Sequence, residues 1–221
     1  MSNEKKNWET IFLSILATFA EKYHVNRVGE KSPGHIRYLG LLKDRYPKAK
    51  FIHVIRDPRA VILSFSKVSF GPRNIKGMAN LWKSAIVTHR KYAELLGPER
   101  YIVVKYEELV LDSERTLRSI CKFLNIEFST QMLEHHKRDF LGFNKRYESH
   151  MSDTLKPVFL SSLDKWKSEL SLWQIAVIQD SLSSEMNLLG YELIEVKVLY
   201  KKIFQLKSKI RKLKAKVLRT D

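Results

Sequence analysis

Apolar residues follow two different spacings along the chain, and the two alternate. Helical spacing, with apolar positions every three or four residues, predicts helices in six stretches: residues 7–23, 34–46, 75–96, 114–125, 129–138 and 171–189. Short continuous apolar runs predict strands at residues 50–55 and Tyr101–Lys105, with a further short strand at Val25–Gly29. Strands that alternate with helices are typical of an α/β protein with a parallel sheet and right-handed crossovers.

The chain is expected to form one α/β domain over residues 1–195, followed by a tail over residues 196–221. With 221 residues and 44% hydrophobic content it can bury one sizeable core, and no Gly-, Pro- or Ser-rich linker divides it. Residues 139–165 are polar and irregular, and we expect a loop there.

Several apolar side chains are predicted to be core. The apolar run of the first helix is ten residues long, well short of the ~20 needed to cross a bilayer. It is expected to pack inwards through one helical face: Ile11, Ile15, Leu16 and Phe19. Trp166 and Trp173 also lie in helical apolar patterns, so we expect core packing rather than stacking on a base. The single cysteine, Cys121, excludes an intrachain disulfide and is expected to be buried.

The tail carries most of the net charge of +16, since residues 196–221 contain ten Lys or Arg residues and one acidic residue. Its apolar residues recur in four-three alternation: Leu199, Ile203, Leu206, Ile210, Leu213 and Val217. This spacing predicts an amphipathic basic helix with a narrow apolar seam. An anionic membrane surface or nucleic acid is the partner that such a helix fits, and a solvated terminal helix is the alternative.

The run KFIHVIRDPRAVILSFSK, residues 50–67, combines a buried strand, a basic turn and the start of a helix. Asp57 is suited to cap the helix and Pro58 to occupy its first position. Arg56 leaves the strand end as a forked donor, and Ser64 adds a hydroxyl two turns into the helix. Because helix N-termini attract anions, the run indicates a phosphate site; a surface turn with solvated arginines is the alternative.

This run resembles the 3′-phosphate-binding motif of sulfotransferases that use PAPS, 3′-phosphoadenosine 5′-phosphosulfate. In that motif an arginine and a serine eight residues later hold the 3′-phosphate; Arg56 and Ser64 match them, and Arg59 is a neighbour. The similarity covers about residues 8–193, through GEKSPGHIRYLGLLKDRYPKAKF upstream and YIVVKYEELVLDSERTLRSICKFLNI, KPVFLSSLDKWKSELS and NLLGYEL downstream. It looks most like the branch of bacterial sulfotransferases and protein-tyrosine sulfotransferases.

The resemblance implies a fold and an activity. The fold is a P-loop-NTPase-like three-layer α/β fold with a parallel sheet, and the bound nucleotide is PAPS or its product PAP. The reaction is transfer of a sulfuryl group to a hydroxyl acceptor on a protein tyrosine, a carbohydrate or a small molecule.

Two residues upstream of the motif are candidates for catalysis. Lys31 precedes Pro33, which biases residue 32 towards extended geometry and keeps the lysine in a loop. The resemblance implies that this lysine stabilises charge on the leaving oxygen; a solvated loop lysine is the alternative. His35 is a candidate general base, since imidazole accepts protons near neutral pH. It lies four residues beyond the lysine, whereas the small-molecule branch has its base two beyond and the tyrosine-sulfating branch carries a base glutamate in a block that has no match here. A structural histidine is therefore the alternative.

Further residues match family positions near the nucleotide. Tyr106 follows the second strand, where a family tyrosine contacts the nucleotide; simple packing on the sheet is the alternative. Either Ser149 or Ser152 corresponds to a family serine near the nucleotide, and Lys156 belongs to the same block. Together with the residues above, they form the expected cofactor site.

One family block has no match. Family members begin with a strand and a loop rich in Gly, Ser, Thr and Lys, which cradles the 5′-phosphosulfate about a hundred residues before the Arg-Ser pair. Here Arg56 lies 55 residues from Met1, and Gly29-Glu30-Lys31-Ser32 lacks the leading glycine of GxxxxGK[ST]. We therefore expect a sheet without its first strand, and an N-terminal fragment as a complementing partner.

Two other functions stay open. The unmatched loop allows a catalytically incompetent remnant, or a half-enzyme that binds nucleotide or a partner chain. The charge allows a basic membrane- or nucleic-acid-binding module, although the strands lack the interleaved aromatic and basic residues of an RNA-binding sheet. No metal site is expected, because the adjacent His135 and His136 point about 100° apart on a helix. We expect a cytoplasmic protein that is peripheral to the membrane where its tail binds.

Overall fold

The computed structural model describes residues 8–68, 72–137 and 156–195, which form a mixed α/β structure with a small parallel sheet. The strands are β1 (Phe51–Ile55) and β2 (Tyr101–Lys105). The α-helices are α1 (Trp8–Lys22), α2 (Leu39–Arg45), α3 (Pro58–Ser66), α4 (Ile75–Arg100), α5 (Tyr106–Leu111), α6 (Ser113–Leu124), α7 (Ser161–Glu169) and α8 (Leu172–Leu188). Two 3₁₀ helices span Pro33–Tyr38 and Thr130–Lys137.

Strands β1 and β2 pair in parallel, with Phe51 opposite Tyr101 and Ile55 opposite Lys105. The connection between them runs through α3 and α4. Helix α4 is kinked near its end at Gly97, whose φ of 66° is a left-handed conformation that glycine adopts without strain. The chain enters β2 directly after Arg100. The two strands predicted at residues 50–55 and Tyr101–Lys105 are confirmed.

The third predicted strand, Val25–Gly29, is wrong. These residues form a loop after α1, beyond His24, which has a positive φ of 51°. The Arg27 guanidinium donates a hydrogen bond to the carbonyl of Leu124 at the end of α6. This short apolar segment is therefore a loop that is bonded to the end of a helix.

The turn between β1 and α3 has the predicted chemistry. Asp57 caps α3 by accepting a hydrogen bond of 2.8 Å from the Arg59 amide, and Pro58 is the first helical residue. The amide of Asp57 donates to the Glu107 carboxylate over 2.8 Å. Glu107 belongs to α5, so this bond joins the helix after β1 to the helix after β2 and fixes the two strand ends relative to each other.

The core lies between α3, α4, α7 and α8 on one side of the sheet. Its most deeply buried side chains include Ile62, Ile86, Ile175, Ile178, Leu182 and Met186. Burial of each such side chain stabilises the fold by about 1.5–3 kcal/mol. Trp166 is buried as predicted, whereas Trp173 is 42% exposed at the start of α8, so the core prediction for Trp173 is wrong.

Helix α1 is confirmed as a helix, but its predicted core face is wrong. Ile11, Ile15 and Phe19 are 42%, 61% and 43% exposed. Phe12 faces the residue after α2 instead, with its ring centroid 6.4 Å from that of Tyr46. Within the described parts of the chain, no helix is both long and apolar enough to span a membrane.

Residues 139–165 lie partly outside the described residues, and their last part is helical rather than irregular. Helix α7 begins at Ser161. Helix α8 comes next, opened by a capping box in which Ser171 and Gln174 exchange hydrogen bonds. These two helices bring Ser162 and Gln179 towards the turn after β1. The tail predicted at residues 196–221 lies outside the described residues.

Candidate functional site

The candidate site lies where the two parallel strands end. Arg56 follows β1 directly, and Tyr106 follows β2 directly. Because the strands are parallel and in register, their carboxyl ends share one edge of the sheet, which is where α/β proteins place their ligands. The sequence pattern therefore brings Arg56 and Tyr106 together, as their contact shows.

The guanidinium of Arg56 is held between an aromatic ring and a carbonyl. Its Cζ lies 4.2 Å from the centroid of the Tyr106 ring, and its Nη2 donates to the carbonyl of Ser162 over 2.6 Å. Trp82 donates its indole N–H to the Arg56 carbonyl over 3.0 Å. These contacts fix both the backbone and the plane of the guanidinium, so its remaining donors point in a set direction.

One of those donors is buried and has no partner among the described residues. The Nε of Arg56 is shielded from solvent without a hydrogen bond. Since buried polar groups almost always pair, and an unpaired one costs about 1–3 kcal/mol, this atom requires a partner that is not among the described residues. A planar guanidinium with free donors suits the oxygens of a phosphate.

Tyr106 and Ser162 form the floor of this site. The Tyr106 hydroxyl lies 3.2 Å from Ser162 Oγ, which donates to the carbonyl of Phe159 over 2.9 Å. Ser162 is buried on α7 and was missed by the sequence reasoning. Its only sequence signal was its place in the matching block KPVFLSSLDKWKSELS, because the contact spans more than a hundred residues.

Arg59, expected beside the phosphate, faces the core instead. It is 3% exposed, and its Nε and Nη2 donate to the Asp57 carboxylate, with the Nη2 contact at 2.6 Å. Its Nη1 donates to Gln179 over 3.0 Å, and its Cζ lies 3.9 Å from the Trp166 ring centroid. The Asp57 side chain that caps α3 also draws this guanidinium inwards, so we leave Arg59 out of the ligand site.

Gln179 extends this buried network to the end of the described chain. Its amide donates to the Ile194 carbonyl over 2.8 Å and accepts from the Ile194 amide over 2.9 Å. The start of α3 is therefore connected through Arg59 and Gln179 to residues 192–195. These hydrogen bonds stabilise the start of α3, which lies next to Arg56.

Glu107 supports the site from the side. One carboxylate oxygen accepts from the Asp57 amide, and the other accepts from the Tyr191 hydroxyl over 3.2 Å. Burial, together with the Glu107 charge, raises the pKa of Tyr191 above its usual range, so the phenol remains a donor. Sequence reasoning assigns no role to Glu107, because both of its partners are distant along the chain.

Ser64 lies in the last turns of α3 and is exposed. Lys156 is exposed next to Pro157. Ser149 and Ser152 lie outside the described residues. The structure thus brings Arg56 and Tyr106 into contact, and it leaves Ser64 and Lys156 on the surface.

Lys31 and His35 belong to the segment that leads from the loop after α1 into the first 3₁₀ helix. Lys31 is exposed in that loop. His35 Nδ1 lies 2.8 Å from the Glu30 carboxylate, and Ser32 Oγ donates to the same carboxylate over 2.9 Å. The GEKS sequence therefore forms a small hydrogen-bonded cluster around Glu30, and the structure gives it no resemblance to a phosphate-binding P-loop.

A cluster of two histidines and a tyrosine lies between the sheet and α4, away from the carboxyl ends of the strands. The Tyr101 hydroxyl is 2.9 Å from His53 Nδ1 and 3.4 Å from His89 Nδ1. Burial, followed by the neighbouring His89, lowers the pKa of His53 to about 4, and burial also lowers the pKa of His89. These imidazoles are neutral near pH 7 and serve the packing of β1 against α4. Within the described ranges, no three His, Cys, Asp or Glu side chains are grouped to hold a metal ion.

Comparison with known proteins assigns the chain to a family. The sequence profile of the sulfotransferase family matches residues 4–130, more than half of the chain. Curated relatives include a protein-tyrosine sulfotransferase of Drosophila melanogaster, 27% identical over 81% of this chain and 37% of the relative. Protein-tyrosine sulfotransferase 1 of Danio rerio is 29% identical over 83% of this chain and 53% of the relative. The human protein-tyrosine sulfotransferase 1 is 30% identical over 73% of this chain and 46% of the relative.

Two solved sulfotransferase domains share the fold. The domain from the Synechococcus PCC 7002 olefin synthase has a TM-score of 0.69 and 24% identity, with 82% of this chain and 64% of that domain covered. The domain from the curacin biosynthetic pathway has a TM-score of 0.64 and 23% identity, with 82% of this chain and 68% of that domain covered. This chain spans about half or less of the length of the curated relatives named above. With the profile match over residues 4–130, these likenesses show that the chain belongs to the sulfotransferase family.

Proposed function

We propose that this chain binds PAPS and takes part in transfer of its sulfuryl group to a hydroxyl acceptor. The observation that carries the proposal is the Arg56 guanidinium at the end of β1, which Tyr106 and Ser162 hold in one orientation and whose buried Nε has no partner among the described residues. Family membership supplies the reaction class. PAPS provides an activated sulfuryl group whose transfer leaves the nucleotide PAP.

Arg56 is proposed to hold the 3′-phosphate, with Ser64 as a second donor. The Tyr106 ring and the Ser162 carbonyl already set the guanidinium plane, so little conformational entropy is lost when a phosphate binds. The amino end of α3, which begins at Pro58, adds the partial positive charge of a helix N-terminus next to the same site. Tyr106 is proposed to contact the nucleotide beside Arg56, and Lys156 with Ser149 or Ser152 to close over it.

Lys31 is proposed to stabilise the charge that develops on the leaving phosphate oxygen. An exposed ammonium on a tethered loop is free to approach an anionic ligand. Sulfuryl transfer resembles phosphoryl transfer in that positioned cations supply most of the catalysis. His35 is proposed as the base that takes the acceptor proton.

The 5′-phosphosulfate requires a cradle of donors that we propose comes from a segment outside this sequence. The GEKS segment does not supply such a cradle. Ser32 donates to the Glu30 carboxylate, which also contacts His35, and Lys31 is exposed. A complementing fragment with a strand and a Gly-, Ser-, Thr- and Lys-rich loop fits a P-loop-NTPase-like fold in which β1 and β2 are two members of a larger parallel sheet. A half-enzyme that binds nucleotide without catalysis is the second candidate.

Protein tyrosine is the first acceptor to examine, because the relatives in the comparison are protein-tyrosine sulfotransferases. Carbohydrate and small phenolic hydroxyls are the other classes. We also propose that the basic tail, residues 196–221, binds an anionic membrane surface and keeps a cytoplasmic protein at the bilayer.

Transfer of radiolabelled sulfate from PAPS to tyrosine peptides, sugars and phenols tests the proposal. The chain alone should transfer little, since loss of even one oxyanion donor costs about 10²–10³ in rate. Addition of an N-terminal fragment that carries the strand and the loop should raise the rate by at least that factor. No transfer to any acceptor with the fragment present, in a chain that still binds PAP, would favour the half-enzyme. Robust turnover without the fragment would contradict the account of the cradle.

A further inference from the structure

The peptide group between Arg56 and Asp57 is hydrogen-bonded through both of its polar atoms to side chains of two different helices. The Arg56 carbonyl accepts from the Trp82 indole N–H over 3.0 Å, and the Asp57 amide donates to the Glu107 carboxylate over 2.8 Å. In a trans peptide the C=O and the N–H point in opposite directions. Trp82 of α4 and Glu107 of α5 therefore hold this peptide group from opposite sides.

The start of α3 explains why the Asp57 amide takes a side-chain partner. The first amides of a helix have no acceptor within the helix. Pro58 has no N–H, and the Arg59 amide donates to the Asp57 carboxylate over 2.8 Å. The Asp57 amide donates to Glu107. Since the amides of Asp57 and Arg59 are both occupied, an anion at the end of β1 depends on the Arg56 side chain rather than on these two amides.

Both side chains that hold the peptide group are anchored themselves. Trp82 is buried and belongs to the hydrophobic core. Glu107 accepts through its second carboxylate oxygen from the hydroxyl of Tyr191 over 3.2 Å, and Tyr191 is buried. The two hydrogen bonds therefore give the peptide plane at the end of β1 one orientation.

The orientation of this peptide group determines the position from which the Arg56 side chain extends. A planar peptide leaves only φ and ψ free at each residue, so a fixed plane after β1 fixes ψ of Arg56. The guanidinium is held separately, by the Tyr106 ring and the Ser162 carbonyl. Arg56 is thus held at its backbone and at the end of its side chain, as a binding group must be if it is to stay within about 0.5 Å of the geometry that its ligand requires.

We infer that Trp82 and Glu107 are positioning residues of the 3′-phosphate site, which set the backbone from which Arg56 reaches the phosphate. This inference rests on the proposed function. Both residues act through their hydrogen bonds to the peptide group. The negative charge of Glu107 opposes a phosphate, so only its oxygen acceptor favours binding.

A purely structural role is the competing interpretation, because Trp82 is a core residue and Glu107 joins two helices. The two interpretations differ in the ratio of two affinities. Partial unfolding weakens the apparent affinity for every nucleotide by the same factor, so it leaves the preference for adenosine 3′,5′-bisphosphate over adenosine 5′-monophosphate unchanged. Misplacement of Arg56 lowers that preference, because only the bisphosphate has a 3′-phosphate.

Calorimetry of the whole chain with the two nucleotides measures this preference, at a temperature where circular dichroism shows each variant to be folded. The wild-type preference should be at least about tenfold. Glu107→Leu should lower it by about 3- to 10-fold, whereas Glu107→Gln, which keeps an oxygen acceptor for the Asp57 amide, should retain it. Glu108→Leu is the matched control, since it removes an exposed carboxylate from the next residue of α5 and should retain the preference.

The indole hydrogen bond is tested in the same way. Trp82→Phe keeps an aromatic ring in the core and removes the N–H donor, so it should lower the preference by about 2- to 5-fold. Trp173→Phe removes an indole from the start of α8, beyond the end of α7 that is distant from Ser162, and should retain the preference.

Two failures are distinguishable. A wild-type preference in Glu107→Leu or in Trp82→Phe overturns the inference and leaves the proposed function standing, and so does a Glu107→Gln variant that loses as much of the preference as Glu107→Leu. Equal affinities of the wild-type chain for the two nucleotides overturn the proposed 3′-phosphate site, and the inference about Trp82 and Glu107 falls with it.

Discussion

The Arg59 guanidinium should be a determinant of stability, although sequence alone suggests a ligand contact. Its side chain is 4% exposed and bridges Asp57, Gln179 and the Trp166 ring. Replacement by alanine leaves the Asp57 carboxylate, only 9% exposed, without its counter-charge. Removal of one partner from a buried ion pair costs about 3–5 kcal/mol, a large part of a typical stability of about 5–15 kcal/mol.

Urea unfolding followed by circular dichroism measures this cost. Arg59→Ala should lower the free energy of unfolding by about 3 kcal/mol or more. Arg56→Ala is the matched control: Arg56 is partly exposed, and loss of its carbonyl bond and ring contact should cost roughly 1–2 kcal/mol.

A double variant separates the charge from the packing. Asp57→Asn with Arg59→Met keeps the helix cap and fills the space with an apolar chain, so it should be more stable than Arg59→Met alone. A free energy of unfolding for Arg59→Ala within about 1 kcal/mol of the wild-type value would show that the guanidinium is not buried in this network. It would then be available to contact the phosphate.

Three further predictions concern other parts of the chain. Because the pKa of His53 falls from 6.5 to about 4 on folding, the unfolded state binds the extra proton between these values. Stability should therefore fall by up to about 3 kcal/mol as the pH drops from 6.5 to 4, and the fall should be smaller in His53→Gln; an equal fall in both, by urea titration, refutes this. Tyr106→Leu should weaken PAP binding by about 3- to 10-fold and Tyr106→Phe by less, measured by calorimetry, because the ring orients Arg56; equal losses would assign the effect to the hydroxyl. Deletion of residues 196–221 should leave the thermal melt unchanged but abolish salt-sensitive sedimentation with anionic vesicles, and unchanged sedimentation refutes the membrane proposal.

Elements with local signals were predictable from the sequence. The β-branched run of β1, the Asp57 cap and Pro58 are all set by neighbours within a few residues, and the structure has them as predicted. The contact of Arg56 with Tyr106 was also predictable, because the parallel pairing of two recognisable strands places their ends side by side.

Features that depend on distant partners were not predictable in this way. The periodicity of α1 indicated a helix, yet Ile11 and Ile15 are exposed, and it is Phe12 whose ring faces Tyr46 just after α2. Arg56 and Arg59 flank the same Asp57-Pro58 turn, so the sequence does not distinguish them. The contacts of Arg59 with the distant Gln179 and Trp166 show that it points inwards. The spacing of apolar residues indicates whether a segment is a helix or a strand, but it does not show which other element that segment packs against.

The hydrogen-bonded cluster around Glu30 shows the same limit. His35 is a candidate from its chemistry alone, whereas Glu30 enters the sequence pattern only as part of an incomplete P-loop match. Their hydrogen bond arises because the 3₁₀ helix at Pro33–Tyr38 turns the chain back on itself, a conformation that the helical pattern of residues 34–46 did not specify. Tight turns depend on single residues and on their contacts more than on periodicity.

The central claim is that Arg56 binds the 3′-phosphate of the nucleotide, and isothermal titration calorimetry with two nucleotides tests it most directly. Adenosine 3′,5′-bisphosphate should bind at least about tenfold more tightly than adenosine 5′-monophosphate, since a charge-assisted contact contributes roughly 1.5–3 kcal/mol. Arg56→Ala should lose that preference. Arg90→Ala, which removes an exposed arginine on the part of α4 that leads towards the start of β2, should keep it. Equal affinities of the wild-type chain for the two nucleotides, or an Arg56→Ala variant that still prefers the bisphosphate, would contradict the account.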